Sequence, residues 1–310
     1  MKSIRSTVVA AVVASVAFGV SAGTAEREPL KVLMIGNSFS LSCMSHLPRV
    51  AKSLGAPLDI ASLYIGGCPL DRHWSNIKVA ETNADFRPYR YDRNVCGKNV
   101  AKNEARNIPD ALAEAKWDIV TVQQASGKSW IAESYSPYGD DLVEYVRRHA
   151  PQAKIVVQET WSYTPWDKRL KGWGLTQDEM YEKLRDAYAA FAARHGLAVI
   201  PMGAAVQEWR KRLPVKYTEN SFGGDVVGGR DKKEKERFKR AENGAWVPNS
   251  DVFHLSKGGE YLQAMVWAAS LFKDVDLERI TYRPRCVSEQ EARLMRDIAA
   301  SLVRSQGCVK

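Results

Sequence analysis

The stretch that decides the fold of this chain is Lys31-Val32-Leu33-Met34-Ile35-Gly36-Asn37-Ser38-Phe39-Ser40. It begins with an apolar run that is too short for a helix and is typical of a buried strand. The run breaks at Gly36-Asn37, and a helical pattern follows. A serine at such a strand-to-helix turn has an exposed hydroxyl, and backbone N–H groups of the next helix point towards it. Ser38 therefore fits a catalytic nucleophile, although a purely structural or phosphate-binding serine fits the same pattern.

Apolar strands alternate with helical patterns along the rest of the chain. After the strand ending near Ile35, strands are predicted over residues 58–65, 117–122, 153–159 and 197–201. Helices are predicted over residues 40–54, 108–115, 138–149, 176–195, 204–212, 256–272 and 289–304, with a capping box formed by Thr176 and Glu179. This alternation is typical of βαβ units. We therefore predict an α/β fold, a three-layer α/β/α sandwich around a central parallel sheet of five strands, as in flavodoxin-like proteins.

Two segments interrupt the alternation and are predicted to be insertions. Residues 71–107 are polar and aromatic, with a small hairpin predicted around residues 90–94. Residues 221–243 are rich in glycine and then in charged residues, as expected of a solvated insertion or mobile loop, and the role of its basic part, 230–240, stays open. The predicted organisation is a signal peptide over 1–25, one α/β domain over 26–275 and a helical tail over 276–310.

The N-terminus has the pattern of a secretory signal peptide. Lys2 and Arg5 precede an apolar run over residues 7–20, and small residues follow up to Ala25. The run is too short for a convincing membrane span, and no later segment is apolar enough to cross a bilayer. We expect cleavage near Ala25 and an exported protein, periplasmic or secreted, without a membrane span.

The net charge and the motifs of the chain limit which classes of binding partner are expected. The formal net charge is +9 and the isoelectric point is near 9.2, which permits binding to anionic polymers but also simply favours solubility. No zinc-finger, helix-turn-helix or RNA-binding pattern is present, so nucleic acid is not an expected partner. We expect a monomer that acts on a small-molecule or glycan ester without a metal or organic cofactor.

Five cysteines in an exported chain leave at least one thiol without a partner in the same chain. Cys286 with Cys308 and Cys68 with Cys96 are the two pairings considered. Cys43 falls within the first helical pattern and is predicted to be a buried free thiol.

A second motif lies far along the chain, in Ser250-Asp251-Val252-Phe253-His254-Leu255-Ser256. Asp251 and His254 are three residues apart before a helix that Ser256 can cap, so their side chains can point the same way. The carboxylate then accepts a hydrogen bond from one ring nitrogen, while the other nitrogen takes a proton from a serine. The alternative is that Asp251 caps a turn and His254 is a surface residue.

Polar and small residues follow three of the predicted strands. Ser38, Gly66-Gly67 and Gln123-Gln124 all lie just past strand ends, where the carboxyl edge of a parallel sheet gathers them. With these blocks in order, the chain resembles the SGNH/GDSL hydrolase superfamily, specifically a bacterial branch whose first block reads I-G-N-S-F instead of G-D-S. The matching blocks are residues 35–39, 64–68, 122–126 and 251–256, and the resemblance extends over residues 30–272.

The resemblance implies a catalytic triad. Ser38 would be the nucleophile, and His254 would be the general base for attack and the general acid for the leaving alcohol. Asp251 would orient His254 and stabilise its charged form.

The resemblance also implies an oxyanion hole. The donors would be the N–H of Ser38, an N–H of Gly67 or Gly66, and a side-chain amide. The superfamily usually supplies this amide from an asparagine, whereas here Gln123 or Gln124 must replace it. Strand alternation lets only one of the two face the site, and we favour Gln123.

Aromatic residues in loops near the strand ends indicate a carbohydrate substrate, because sugar rings stack on such faces, although the same residues can pack loops onto the sheet. They are Trp74, Trp130, Trp161, Tyr163, Trp166 and Trp173. Asn37, His73, Trp74 and Trp161 are the candidate substrate-binding residues. The predicted function is an exported serine esterase that hydrolyses an O-acyl ester, foremost O-acetyl, on a carbohydrate through an acyl-enzyme. The alternative is a non-hydrolytic carbohydrate-binding protein or an O-acyltransferase on the same fold.

Overall fold

The computed structural model of the protein describes residues 28–213, 217–230, 232–272 and 274–306. The predicted signal peptide, residues 1–25, and Cys308 lie outside these ranges. Within them, no helix combines the length and the apolar character that a membrane span requires.

A seven-stranded sheet forms the centre of the protein. Its strands are β1 (Leu30–Gly36), β2 (Leu58–Tyr64), β3 (Tyr89–Val95), β4 (Lys98–Arg106), β5 (Ile119–Val122), β6 (Lys154–Gln158) and β7 (Ala198–Ile200). They lie in the order β4-β3-β2-β1-β5-β6-β7. The strands β2, β1, β5, β6 and β7 run parallel, as predicted, and the β3–β4 hairpin extends one edge antiparallel. The prediction of an α/β sandwich around a parallel sheet is therefore confirmed.

Helices cover both faces of the sheet. One face carries α1 (Ser38–Leu41), a 3-10 turn (Ser42–Ser45), α2 (Leu47–Ser53), α8 (Met202–Arg212), α9 (Lys257–Leu271) and α10 (Glu289–Gln306). The other face carries α3 (Leu70–Thr82), α4 (Ile108–Glu114), α5 (Tyr138–His149) and α7 (Gln177–His195). Connecting segments hold α6 (Lys168–Trp173), 3-10 turns at Ala132–Tyr135, Glu234–Glu236 and Leu277–Arg279, and a small hairpin of β8 (Phe238–Arg240) and β9 (Trp246–Pro248).

The core follows from this layering. Residues 32–35 of β1 are almost completely buried because helices cover both sides of a parallel sheet. Residues 259–271 of α9 are likewise all buried, since α2, α8 and α10 pack around this helix. β1 therefore lies between two layers of helices and fixes the turn that follows it, which carries Ser38.

The single helix predicted over residues 40–54 is wrong in detail. The structure divides it into α1, a 3-10 turn and α2, and α2 begins at Leu47 with Pro48 in its first turn. Proline has no N–H to donate within a helix and is best placed at a helix start, so Pro48 separates the two helices.

The insertion predicted over residues 71–107 is more regular than expected. It contains most of α3 and the whole β3–β4 hairpin. The hairpin that was predicted around residues 90–94 corresponds to the single strand β3. The buried face of α3 includes the polar residues His73 and Asn76, and nearly all of β4 is exposed. The polar residues interrupt the helical spacing of Leu70, Trp74 and Ile77, and β4 lacks the apolar alternation by which strands are predicted.

The insertion predicted over residues 221–243 is only partly solvated. Phe222, Val227 and Phe238 are buried, and Asp225 forms a buried ion pair with Arg210 at 2.9 Å. These anchoring residues are isolated among charged and glycine residues, so the local composition indicates a solvated loop although the segment packs on the domain.

The suggested pairing of Cys68 with Cys96 is wrong. Cys68 is a buried thiol beside His73, and Cys96 is an exposed thiol in the β3–β4 turn. Cys43 is a free thiol, as predicted, and its burial raises the pKa of that thiol above its usual range. Cys286 is free in the structure, and its suggested partner Cys308 lies outside the described residues.

Candidate active site

Ser38, His254 and Asp251 lie together at the carboxyl edge of the sheet. Ser38 Oγ lies 2.7 Å from His254 Nε2, although the two residues are 216 positions apart in the chain. His254 Nδ1 is hydrogen-bonded to Asp251 Oδ2 on the other side of the ring. A hydroxyl, an imidazole and a carboxylate in this order are the arrangement by which serine hydrolases activate a nucleophile.

The turn after β1 holds Ser38 at the start of α1. Asn37 caps this helix, because its Oδ1 accepts a hydrogen bond from the N–H of Phe39 at 3.0 Å. Asn37 Nδ2 donates to the carbonyl of Cys68 at 3.2 Å and so ties this turn to the turn after β2. At Gly36 a Cβ would overlap Ser40 Oγ and would lie 3.1 Å from Gln123 Oε1, so this position requires glycine.

The loop that carries Asp251 and His254, here called the triad loop (residues 251–254), is anchored by the loop after β6. Trp161 Nε1 donates to the carbonyl of Phe253 at 2.8 Å, and the N–H and hydroxyl of Thr164 donate to the carbonyl of Val252. The Trp161 ring stacks on Phe39, with 4.1 Å between ring centroids, and so links this loop to α1.

A second segment anchors the remaining carbonyl groups of the triad loop. The N–H of Gly228 donates to the carbonyl of His254 at 2.8 Å, and the N–H of Gly229 donates to the carbonyl of Asp251 at 2.7 Å. Within the loop, Asp251 Oδ1 accepts the N–H groups of Phe253 and His254. Two separate segments therefore fix the position of His254 relative to Ser38.

The charge of Asp251 suits its place beside the imidazole. Burial alone would raise the pKa of this carboxyl, but the hydrogen bonds from the His254 ring and from the N–H groups of His254 and Phe253 outweigh burial. The pKa of Asp251 is therefore lower than usual, and the carboxylate is ionised at neutral pH. An ionised carboxylate in this position stabilises a protonated His254.

The turn after β2 brings backbone N–H groups close to the same edge. Gly66 and Gly67 lie in the turn closed by a hydrogen bond from the N–H of Cys68 to the carbonyl of Ile65, and Gly67 has a φ of +59°. Their N–H groups donate to no acceptor within the described ranges. The N–H of Ser38 has no acceptor in its own helix, because Ser38 is the first residue of α1.

The two glutamines after β5 differ in their partners. Gln124 Oε1 accepts the N–H groups of Leu70 and Ala125, and its Nε2 donates to the carbonyl of Ser134, so Gln124 braces the loop. Gln123 is also buried, but its amide oxygen and nitrogen have no hydrogen-bond partner in the part of the chain that the structure describes. Gln123 is therefore the amide of the pair that is not used to brace the loop.

Asn37, His73, Trp74 and Trp161 were predicted to bind substrate, and the structure gives each a packing role. Asn37 is only 1% exposed and caps α1. Trp161 is fully buried beneath the triad loop, and Trp74 packs edge-on against a tyrosine ring of α5. His73 is also fully buried; its Nδ1 is hydrogen-bonded to the hydroxyl of Tyr89, and burial lowers its pKa to about 3.

Other aromatic side chains extend from His254 along the edge of the site. We call them the aromatic row: Phe253, Tyr163, Trp173 and Trp130. Their ring centroids follow each other at 5.5, 5.9 and 5.4 Å, and the Phe253 ring lies 4.2 Å from the His254 ring. Phe253, Trp173 and Trp130 are partly exposed. Phe253 was not predicted as a site residue, although its place directly before the histidine was a usable signal.

A guanidinium group covers part of the aromatic row. The Arg169 guanidinium carbon lies 4.2 Å from the Phe253 ring centroid and 4.3 Å from that of Tyr163. Its Nε and Nη2 donate hydrogen bonds to the carboxylate of Asp167, which holds the guanidinium in place. The sequence carried no signal for Arg169, because its position over the rings depends on the fold of the loop after β6.

No group of three or more His, Cys, Asp or Glu side chains is placed to hold a metal ion within the described ranges. The site as it stands consists of a serine, an imidazole, a carboxylate, backbone N–H groups and an amide. These groups together can carry out acyl transfer.

Comparison with known proteins agrees with the fold. A DUF4886 family protein from Bacteroides uniformis is 26% identical with a TM-score of 0.70, over 91% of this chain and 98% of that chain. A protein from Slackia heliotrinireducens that is described only provisionally as an SGNH hydrolase is 21% identical with a TM-score of 0.46, over 78% of this chain and 98% of that chain. Phospholipase A1 from Streptomyces albidoflavus is 13% identical with a TM-score of 0.35, over 74% and 94%.

The comparison with curated proteins gives no match. The predicted resemblance to SGNH/GDSL-like hydrolases is confirmed as a resemblance in fold. The DUF4886 domain, a domain of unknown function, matches residues 31–226, which is more than half of the chain. The chain therefore belongs to the DUF4886 family.

Proposed function

We propose that this protein is a serine esterase that hydrolyses an O-acyl ester. The observation that carries the proposal is the contact of 2.7 Å between Ser38 Oγ and His254 Nε2, with Asp251 hydrogen-bonded to the other ring nitrogen. A buried apolar core does not require a hydroxyl, an imidazole and a carboxylate in line, whereas nucleophilic catalysis does.

The first half of the reaction transfers the acyl group to the enzyme. Ser38 Oγ attacks the ester carbonyl carbon while His254 Nε2 takes the hydroxyl proton. The N–H groups of Ser38 and Gly67 and the amide of Gln123 stabilise the negative oxygen that forms. His254 then gives its proton to the leaving alcohol as the bond between the carbonyl carbon and the alcohol oxygen breaks.

The second half releases the acid. A water molecule attacks the acyl carbonyl, and His254 takes a proton from this water. The ester bond to Ser38 Oγ breaks, His254 returns the proton to the serine, and the carboxylic acid leaves. Ionised Asp251 stabilises the imidazolium that forms in both halves.

We propose a carbohydrate that carries the acyl group, foremost an acetyl group, as the substrate. The support is the far part of the aromatic row, because Trp173 and Trp130 are partly exposed and a sugar ring stacks on rings of this kind. We also propose that the protein acts after export, with residues 1–25 as a cleaved signal peptide and residues 26–275 as the catalytic domain.

The first test uses the chain without residues 1–25 and p-nitrophenyl acetate as the ester. We expect Ser38→Ala to lower kcat by about a thousandfold or more, because the nucleophile is lost. The control is Ser75→Ala, which removes an equally small hydroxyl on α3 that bonds only to the carbonyl of Asp71. Circular dichroism confirms that both variants fold, and equal turnover by Ser38→Ala would overturn the assignment.

A second measurement separates the reaction classes. A fluorophosphonate probe should modify Ser38 in the native protein and leave Ser38→Ala unlabelled. A protein that only binds carbohydrate would not be labelled. Acetate release from acetylated glycans, measured with and without an added glycan acceptor, distinguishes hydrolysis from acyl transfer to another sugar.

A further inference from the structure

A second cavity, of about 530 Å³, lies outside the proposed catalytic centre. It is bounded by residues 224–230 and 232–237 and by the N-terminal parts of α9 and α10, and no triad residue lines it. Five cationic side chains line it: Arg230, Lys232, Lys233, Arg237 and Lys257. We call it the basic cavity.

The two acidic residues of the basic cavity are engaged elsewhere. Asp225 is held in the buried ion pair with Arg210 at 2.9 Å, and Glu291 accepts hydrogen bonds from the N–H and hydroxyl of Ser288. Neither carboxylate forms an ion pair with a cation of the cavity, and the five cations outnumber the one carboxylate, Glu291, that is not paired with Arg210.

Most of the positive charge in the basic cavity is uncompensated. Arg230 is paired with Glu260 at 3.2 Å. The other four cations form no ion pair with a residue in the described ranges, and Lys232, Lys233 and Lys257 are exposed. Four like charges around one cavity repel each other, and an anion in the cavity lowers that repulsion while it gains charge-assisted hydrogen bonds.

The volume of the basic cavity indicates a ligand larger than a bare inorganic ion. A volume of about 530 Å³ is within the range of cavities that hold small organic ligands. Val287 and Met295 add an apolar part to the wall. We propose that the basic cavity binds a phosphate or sulfate group carried by a sugar-sized molecule.

Binding in the basic cavity has a direct structural consequence. Gly229 and Arg230 both line the cavity, and the N–H of Gly229 also donates a hydrogen bond to the carbonyl of Asp251. A ligand that bridges this segment to Lys257 joins two parts of the chain that are close only in the folded state. Such a ligand therefore raises the stability of the folded protein.

The experiment measures thermal unfolding of the chain without residues 1–25 in the presence of four probes: glucose 6-phosphate, glucose 6-sulfate, glucose and sodium chloride at matched ionic strength. We expect a saturable rise in melting temperature of about 3 °C or more with at least one of the two charged sugars. Glucose and chloride should give no saturable rise. The two charged sugars also show whether phosphate or sulfate is preferred.

Charge removal locates the effect. In the variant K232Q/K233Q/K257Q, the ligand concentration for half-maximal stabilisation should rise at least about tenfold. The matched control K102Q/K116Q/K183Q removes the same charge at three exposed lysines outside the cavity and should behave as the native protein. The single variant Lys257→Glu provides a second test if the triple variant folds poorly.

The proposal is overturned if neither charged sugar gives a saturable rise in the native protein, or if the cavity variants and the control respond equally. Because the readout is stability and not ester hydrolysis, the result does not depend on the proposed catalytic function.

Discussion

The Gln123 amide is the side chain whose position is hardest to explain without a ligand. It is buried at the end of β5, and neither its oxygen nor its nitrogen has a partner in the described ranges. An unsatisfied buried amide costs about 1–3 kcal/mol, so a side chain of this kind lowers stability unless another group satisfies it. In the proposed mechanism, the negative oxygen formed beside Ser38 accepts a hydrogen bond from Gln123 Nε2.

We expect Gln123→Ala to lower kcat for p-nitrophenyl acetate by about a hundredfold, since one lost oxyanion donor raises the barrier by about 3 kcal/mol. KM should change little, because the interaction forms mainly in the transition state. Steady-state kinetics with folding checked by circular dichroism measures both. An unchanged kcat would show that Gln123 does not contact the oxyanion.

Gln124→Ala serves as the comparison at the neighbouring position. Gln124 loses its hydrogen bonds to Leu70, Ala125 and Ser134 in this variant. The expected result is a lower free energy of unfolding, since buried partners are left unsatisfied. Comparison of the two variants therefore distinguishes a loss of catalysis, expected for Gln123→Ala, from a loss of stability, expected for Gln124→Ala.

Some site residues could be predicted from local sequence patterns, and others could not. Ser38 and the Asp251–His254 spacing are local patterns, and the structure brings them into contact. Trp161 was interpreted as a sugar-binding ring, but its indole N–H is used to hold the carbonyl of Phe253. A tryptophan in a loop looks the same in the sequence whether its ring faces solvent or the core, because that depends on distant residues.

At the scale of elements, the segment over residues 226–229 supports the triad loop. Ser256 donates its N–H to the carbonyl of Val226, and the next donors along the segment are the N–H groups of Gly228 and Gly229. Gly228 has a φ of +92°, and a Cβ there would lie 2.7 Å from the Phe222 ring. A side chain at this position therefore displaces either the ring or the segment.

We expect Gly228→Ala to lower kcat about tenfold or more, because displacement of the segment loosens the hold on His254. Gly244→Ala is the matched control: its φ is +81°, but a Cβ there meets nothing within 4 Å and it lies in the turn between β8 and β9. Gly244→Ala should cost about 1 kcal/mol of stability and leave kcat unchanged. Equal kcat values for the two variants would contradict the supporting role of residues 226–229.

Local signals decided which elements could be predicted. The helix over residues 138–149 has the predicted bounds, and the capping box of Thr176 and Glu179 is present. In contrast, α3 and β4 were missed because the first buries polar side chains and the second is mostly exposed. Both depend on contacts with other elements, α3 with α4 and α5 and β4 with β3, which local periodicity does not report.

At the scale of the whole molecule, the parallel sheet explains how distant segments meet. Because β1, β2 and β5 are neighbours and parallel, the turns that follow them share one edge. This rule predicted that Ser38, Gly67 and Gln123 converge. It did not predict the β3–β4 hairpin at the far edge, since an antiparallel edge strand is compatible with the same parallel core.

The stability of the whole molecule should depend on pH through Glu159. This carboxyl is buried at the end of β6, where it accepts the N–H of Ala204 at 2.9 Å. Burial raises its pKa from 4.5 to about 7, although hydrogen bonds from the N–H groups of Ala204 and Gly203 and the charge of Arg185 oppose the rise. The folded state therefore binds this proton more tightly than the unfolded state does.

The sign of the effect follows from linkage. A raised pKa in the folded state stabilises the protein fully below about pH 4.5, and this stabilisation is lost as the pH rises through about 7. With about 1.4 kcal/mol for each pKa unit, the loss amounts to about 3 kcal/mol. Glu159→Gln removes the titrating group and keeps the shape of the side chain.

We therefore expect the native protein to lose about 3 kcal/mol of unfolding free energy relative to Glu159→Gln between pH 4.5 and pH 8, as measured by urea unfolding. Glu179→Gln is the control of opposite sign. Hydrogen bonds from the backbone and side chain of Thr176 lower the pKa of Glu179, so its contribution is lost as the pH falls and not as it rises. A difference between the native protein and Glu159→Gln that stays constant with pH would mean that Glu159 has the same pKa in the folded and unfolded states, which would contradict the raised pKa.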